Sequence, residues 1–161
     1  MSDLSGSWHG CHVKNHELAI QDLVSRYCDA VVRNDEAAWA ATWVEDAVWD
    51  LGGLVVEGRE KVTDLWRQAT APFACIVQVA SNPIIRVHDD GASAHGRWTI
   101  MEHLATADGT SPMQNVGIYD DDYKLVGGDW LFAKRRFQPL FTGRHELVAP
   151  STGHAAIAAL A

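Results

Sequence analysis

The sequence predicts a single α+β domain in which helices and strands occupy separate halves of the chain. Three helical segments and one short hairpin precede residue 73, and four strand-like segments follow it. A chain of 161 residues is long enough for one domain with one core. Helices segregated against one antiparallel sheet define this class. We expect a cone: a strongly curved antiparallel sheet with three N-terminal helices covering its concave face.

The first helix is predicted by apolar residues at one-turn spacing. They are Ile20, Leu23, Val24, Tyr27 and Val31. The spacing is typical of an amphipathic helix over 18–33 with one buried face. Asn34 and Asp35 follow it and have the side chains that end one helix and cap the next.

The segments that follow alternate between helix and hairpin. "EAAWAATW" predicts a second, shorter helix, and "REKVTDLWRQA" predicts a third that ends at "TAP". Between them, "DAVWDL" and "LVVEG" are rich in strand-forming residues and are separated by "GG". This pattern indicates a β-hairpin inserted among the helices.

The second half of the chain predicts a four-stranded antiparallel meander. Its strands are "FACIVQVASNPIIRV", "ASAHGRWTIMEHLAT", "MQNVGIYDDDYKLV" and "WLFAKRRFQPLF". The connections "HDDG", "ADGTSP" and "GGD" are rich in turn-forming residues.

Charge and hydropathy exclude several classes of partner. The net charge is −8 and the pI about 5.3, so a basic surface for nucleic acid is not expected. No run approaches the ~18 apolar residues of a membrane span. Three cysteines at wide spacing, without a secretory leader, favour a reduced cytoplasmic location. We expect a flexible segment over 1–16, the domain over 17–145, and a tail over 146–161.

A metal site is not predicted. His9, Cys11, His12 and His16 are close in sequence and could hold zinc. No second Cys/His pair follows them, so we interpret the cluster as incidental and expect no metal.

Strand alternation predicts which side chains face the interior of the cone. Glu102 shares a strand face with Trp98, Ile100 and Leu104. A carboxylate on an apolar stripe is a candidate for acid–base chemistry. The alternatives are a strand-end glutamate that reaches solvent, or one paired with Arg135.

Two further strand residues are candidates. Asp121 shares its face with Tyr119 and Tyr123, and could be a hydrogen-bonded acid, although we favour a structural pair with an arginine of the last strand. Gln78 points to the buried face of the first long strand. It is either a satisfied core amide or a hydrogen-bond donor to substrate.

Helical geometry separates Tyr27 from Asp29. Tyr27 points inward, where its hydroxyl needs a partner, either near Glu102 or at a backbone carbonyl. Asp29 lies on the opposite side of the helix with Arg26 and Arg33, at the spacings of surface ion pairs. We therefore expect Asp29 to be a solvated charge.

Several segments resemble one family. They are "IQDLVSRYCDAVVRNDEAAWAATWVEDAVWDLGGLVVEGREKVTDLW", "NPIIRV", "GRWTIMEH" and "GIYDDDYKLVGGDWLFAKR". They look like the SnoaL-like branch of the nuclear transport factor two-like (cystatin-like) superfamily over residues 17–142. The resemblance implies a cofactor-independent enzyme for an apolar cyclic or aromatic substrate, and a homodimer or homotrimer.

The catalytic residues of that superfamily match only in part. The helix–strand Asp–His dyad of its dehydratases and dehydrochlorinase is absent, since Val32 and Gln78 occupy the matching positions. Tyr27 matches the oxyanion tyrosine of ketosteroid isomerase, and Glu102 matches a catalytic aspartate of the bile acid dehydratase. Asp121 lies near the second acid of the isomerase. Arg135 resembles a pocket arginine of the dehydrochlorinase.

The sequence thus supports three hypotheses. The first is a dehydratase-like lyase with Glu102 moving the proton and with Tyr27 and Gln78 bonding the developing oxyanion. Its substrate would lie among Trp49, Trp98, Tyr119 and Arg135. The second is an isomerase or polyketide cyclase that uses Tyr27 and Asp121. The third is a non-catalytic domain that binds a small hydrophobic molecule.

Overall fold

The computed structural model describes residues 15–108 and 112–144. They form three helices and one curved six-stranded sheet, which confirms the predicted α+β cone. The predicted cluster at His9, Cys11 and His12 lies outside these residues. So do most of the predicted N-terminal segment and the predicted C-terminal tail.

Two of the three helices in the described residues begin at side-chain caps, and the third begins at Gly58 without one. The helices are α1 (His16–Arg33), α2 (Glu36–Ala40) and α3 (Arg59–Thr70). The Asn15 side chain accepts from the Leu18 N–H, and Asp35 accepts from the Ala38 N–H, so α1 and α2 each start at a bonded cap. The predicted face of α1 is buried. No helix in the described part of the chain is long and apolar enough to span a membrane.

Six strands form the sheet. They are β1 (Trp43–Leu51), β2 (Leu54–Glu57), β3 (Phe73–Val87), β4 (Ser93–Thr106), β5 (Met113–Val126) and β6 (Asp129–Arg144). Their order is β2-β1-β6-β5-β4-β3, and β3 to β6 form the predicted antiparallel meander. The predicted hairpin adds to the β6 edge through a parallel β1–β6 pairing, which the local sequence pattern did not specify.

The second helix is shorter than the sequence pattern predicted. It ends at Ala40, and Trp43 already belongs to β1. The Thr42 hydroxyl donates to the Trp39 carbonyl, and the Thr42 carbonyl accepts from the Phe132 N–H of β6. Pairing with a distant strand therefore outweighs the helical preference of this segment.

Aromatic side chains fill the space between the helices and the sheet. α1 packs mainly against β3, and α3 packs against β1. Trp39 stacks on Trp66 with ring centroids 5.1 Å apart, and Trp43 lies 5.3 Å from Phe132. These contacts fill one part of the cone with packed rings, and a cavity remains in another part.

Candidate active site

A cavity of about 160 Å³ lies between helices α1 and α3 and the concave face of the sheet. Its walls are mostly apolar: Val31, Trp49, Leu51, Trp66, Phe73, Ile76, Leu104, Met113 and Phe137. An engineered apolar cavity of about 150 Å³ is large enough to bind benzene. The cavity therefore suits a ligand with about one ring inside it.

One row of polar side chains crosses the cavity wall. Gln78, Glu102 and Asn115 face one another on β3, β4 and β5, because they are paired in the sheet register. Gln78 Nε2 donates to Glu102 Oε1 at 2.5 Å, and Asn115 Nδ2 donates to Glu102 Oε2 at 3.1 Å. Glu102 is half-buried. Within the described residues, its carboxylate is thus bonded at both oxygens by neutral amides, and no cation bonds to it.

The amide of Gln78 is fixed in one orientation. Its Nε2 also donates to the Tyr119 hydroxyl at 3.1 Å, so both N–H hydrogens are used. Rotation of the amide by 180° would place its oxygen against the Glu102 carboxylate, which is repulsive. Gln78 therefore has no amide hydrogen left for a substrate oxygen, and the predicted donor role is not available in this arrangement.

Two buried phenols line the cavity beside this row. Tyr27 and Tyr119 lie with ring centroids 6.3 Å apart. Burial raises the pKa of Tyr119 well above its ordinary value of 10.0, and the negative charge of Glu102 adds to the rise. Burial also raises the pKa of Tyr27, against the opposing charge of Arg135. Both phenols therefore stay protonated at neutral pH and can act as hydrogen-bond donors.

Asp121 and Arg135 form a buried ion pair outside the cavity lining. Arg135 Nε donates to Asp121 Oδ1 at 2.8 Å and Nη2 donates to Oδ2 at 2.7 Å. Both side chains are fully buried. The Arg135 Cζ atom lies 3.8 Å from the ring centroid of Tyr119 and 4.3 Å from that of Tyr27. A buried cation thus contacts both phenols, which is a favourable cation–π arrangement.

The structure brings five of the eight predicted site residues together. Tyr27, Trp49, Gln78, Glu102 and Tyr119 all line the cavity.

The other three are absent from the cavity lining. Trp98 donates from Nε1 to the Tyr123 hydroxyl at 2.8 Å and packs in the core, while Asp121 and Arg135 bind each other. Position along the strand explains Trp98, because it lies four residues before Glu102 on β4 and so two pleat repeats further along the same face.

Asp29 lies on the exposed side of α1, as expected. Asp29 accepts from Arg33 Nε at 2.8 Å, and 60% of its side chain is exposed. Arg26 pairs with Asp22 instead. Asp29 therefore has no contact with the cavity.

Sequence reasoning missed the second amide that binds the carboxylate. Asn115 lies four residues before Tyr119 on β5 and so on the same strand face. That the two residues share a strand face was visible in the sequence. The pairing of Asn115 with Glu102 was not, since it depends on the register between β4 and β5.

Comparison with known proteins agrees with this architecture. The gamma-hexachlorocyclohexane dehydrochlorinase of Sphingobium indicum is 28% identical over 120 residues, which cover 73% of this chain and 76% of that protein. A provisionally named scytalone dehydratase from Novosphingobium aromaticivorans has a similar structure, with a TM-score of 0.75 at 20% identity over 83% of this chain and 90% of the other.

Another solved structure is that of Rv3472, a protein of unknown function from Mycobacterium tuberculosis. It is 28% identical, with a TM-score of 0.68 over 90% of this chain and 83% of the other. The family model for the SnoaL-like domain matches residues 15–136. The chain therefore belongs to the SnoaL-like domain family.

Proposed function

We propose that the protein is a cofactor-independent lyase that removes a carbon-bound proton from a small cyclic or aromatic molecule. The observation that carries this proposal is the Glu102 carboxylate, which lines an otherwise apolar cavity and is held by two neutral amides. A carboxylate in such a place, without a cation, is suited to proton transfer.

The reaction follows from the groups in the cavity. Glu102 takes a proton from a carbon next to an activating group such as a carbonyl. The C–H electron pair then moves toward that group, and a buried phenol stabilises the negative charge on its oxygen. In the second step the electron pair of the enolate forms a double bond to the neighbouring carbon, and the C–O bond at that carbon breaks, its electron pair leaving with the oxygen. The departing oxygen takes the proton back from Glu102, so water leaves and the enzyme returns to its starting state.

The relatives support elimination as the reaction class. One is named a dehydrochlorinase and another a scytalone dehydratase, and both names describe the removal of a small molecule to form a double bond. In this chain Val32 and Gln78 occupy the positions of the dyad expected for such enzymes. Among the described residues, Glu102 is the one carboxylate in the cavity lining, so we assign it the proton transfer.

Two other functions remain as alternative proposals. An isomerase or polyketide cyclase would need a second acid beside Tyr27, and the expected candidate, Asp121, binds Arg135 at both oxygens. A small-molecule-binding domain would need only the cavity. The absence of the helix–strand dyad favours that alternative.

Replacement of Glu102 by Gln tests the assignment. The wild-type and variant proteins are assayed on a panel of candidate substrates. Cyclic β-hydroxy ketones are monitored by the absorbance of the enone product, and gamma-hexachlorocyclohexane is monitored by chloride release. We expect Glu102→Gln to lower kcat/KM on any converted compound by about 10²–10⁴-fold, because it removes the base.

Asp29→Asn is the matched control, since it removes the same charge from an exposed surface position. It should leave turnover unchanged. Turnover by Glu102→Gln within a few-fold of the parent protein would exclude this role. If Asp121→Asn instead abolishes turnover in a folded protein, the isomerase alternative gains support. Tight binding of aromatic compounds without turnover across the panel would support the binding domain.

A further inference from the structure

The hydroxyl of Tyr119 is coupled to the candidate base through one shared amide. Gln78 Nε2 lies 2.5 Å from Glu102 Oε1 and 3.1 Å from Tyr119 Oη. The two acceptors use the two hydrogens of one planar NH₂ group, so Glu102 Oε1 and Tyr119 Oη lie about 5 Å apart. Gln78 therefore fixes both groups relative to each other.

The proton of Tyr119 is available to a ligand. Within residues 15–108 and 112–144, Tyr119 Oη accepts the bond from Gln78 and donates none. A phenolic O–H lies in the ring plane, and the amide occupies one side of the oxygen. The hydrogen therefore turns to the other side. Because Tyr119 lines the cavity, an acceptor inside the cavity is the partner left for it.

The surroundings of Tyr119 keep its hydroxyl protonated and place a cation against its ring. Burial raises its pKa well above 10.0, so the hydroxyl keeps its proton. The Arg135 guanidinium lies 3.8 Å from its ring centroid and opposes that rise. A cation at this distance stabilises electron density that moves toward Oη. It therefore strengthens the hydrogen bond that Tyr119 donates to a negatively charged oxygen.

We infer that Tyr119 donates the hydrogen bond that stabilises negative charge on the substrate oxygen, and that Gln78 is the positioning residue for both Tyr119 and Glu102. This inference rests on the proposed function of Glu102 and assigns a substrate class: a ring compound with a carbonyl next to the acidic carbon. A carbon about 3 Å from Glu102 and an oxygen about 3 Å from Tyr119 fit one such fragment across the 5 Å gap.

The proton and electrons balance in this step. Glu102 forms a bond to the carbon-bound hydrogen. The electron pair of the broken C–H bond moves into the carbonyl group and gives an enolate, whose oxygen accepts a hydrogen bond from Tyr119. Tyr119 keeps its own proton throughout, and Gln78 exchanges none. The sequence assigned this role to Tyr27, which lines the same cavity and is the competing donor in the test.

The test measures binding of a stable oxyanion and requires no turnover. The probe is 4-nitrophenolate, a single ring whose absorption changes when its oxygen accepts a hydrogen bond. Binding is measured in the Glu102→Gln protein, which mimics the protonated base. We expect Tyr119→Phe in this background to weaken binding by at least about tenfold, because a charged oxygen loses its donor. The absorption shift should be lost as well.

Tyr123→Phe is the matched control. It also removes a buried phenol from β5, but its hydroxyl bonds Trp98 and Asp121 outside the cavity lining. It should leave affinity for 4-nitrophenolate unchanged. Three results would overturn the inference: unchanged affinity in Tyr119→Phe, the loss appearing in Tyr27→Phe and not in Tyr119→Phe, or no binding to the Glu102→Gln protein.

A double-mutant cycle tests the positioning role of Gln78. Gln78→Met should weaken 4-nitrophenolate binding when Tyr119 is present, and should have no further effect once Tyr119 is replaced by Phe. Additive losses would indicate a structural role only and would remove Gln78 from the assignment. The Glu102 assignment fails separately, through turnover by Glu102→Gln, so the two proposals can be told apart.

Discussion

Asp121 and Glu102 both occupy inward-facing strand positions in the cone, yet their partners differ. Asp121 is fully buried and binds the Arg135 guanidinium with both oxygens. Glu102 is half-buried beside a cavity and accepts from the amides of Gln78 and Asn115. A guanidinium neutralises a carboxylate and occupies it, whereas amides orient it and leave its charge uncompensated. Position on an inward face therefore does not identify a reactive acid; the partner does.

Breaking the ion pair should produce the largest change. Arg135→Met leaves the Asp121 carboxylate buried without its cation, so we expect the free energy of unfolding to fall by about 3–5 kcal/mol. Urea denaturation followed by tryptophan fluorescence measures this. The double variant Arg135→Met/Asp121→Leu should recover most of the loss, because no uncompensated charge remains. If Arg135→Met lowers the free energy of unfolding by less than about 1 kcal/mol, then Asp121 does not depend on its cation, and the proposed difference between Asp121 and Glu102 is wrong.

High pH should destabilise the aromatic interior. The sequence has three tyrosines, Tyr27, Tyr119 and Tyr123, and burial raises the pKa of each above 10.0. Above pH 10 the unfolded chain loses these protons and the folded protein keeps them. Stability present below pH 10 should therefore decrease as pH rises above it, by about 1.4 kcal/mol per unit for each tyrosine.

Tyrosinate absorbance near 295 nm, read beside circular dichroism, follows this alkaline transition. We expect tyrosinate to appear together with unfolding. A tyrosine that ionises reversibly near pH 10 in the folded protein would show that its hydroxyl is not in the dry interior.

Removal of the cavity carboxylate should change stability least. In Glu102→Gln the introduced amide oxygen still accepts from Gln78, so we expect the free energy of unfolding to change by no more than about 1 kcal/mol. The same urea titration as for Arg135→Met gives the direct comparison. A loss as large as that of Arg135→Met would mean that Glu102 supports the fold as Asp121 does.

Local sequence patterns were sufficient to predict most helices and strands and the inward orientation of several site residues. Apolar spacing gave the buried face of α1, including Tyr27, and placed Asp29 outside. Strand alternation put Glu102, Gln78 and Tyr119 on inward faces. These predictions succeed because the periods of helix and strand fix which side a residue faces, whatever the rest of the chain does.

The remaining details required contacts between distant segments. α2 ends early because Thr42 pairs with β6, and β1 joins β6 in parallel. Trp98 and Arg135 share faces with cavity residues but lie elsewhere along their strands. The alternation of side chains along a strand determines which face a residue occupies. Only the register between strands determines which residues of the neighbouring strands it meets on that face.

The sequence by itself determined the class of fold, the inward side of each element and the set of polar groups that could meet there. Only the tertiary structure decided which of them meet. It paired Glu102 with two amides and Asp121 with Arg135, and it coupled Tyr119 to Glu102 through Gln78. The physical reason is that periodicity is set by covalent geometry within one segment, whereas hydrogen-bond partners are set by the register and curvature of several strands together.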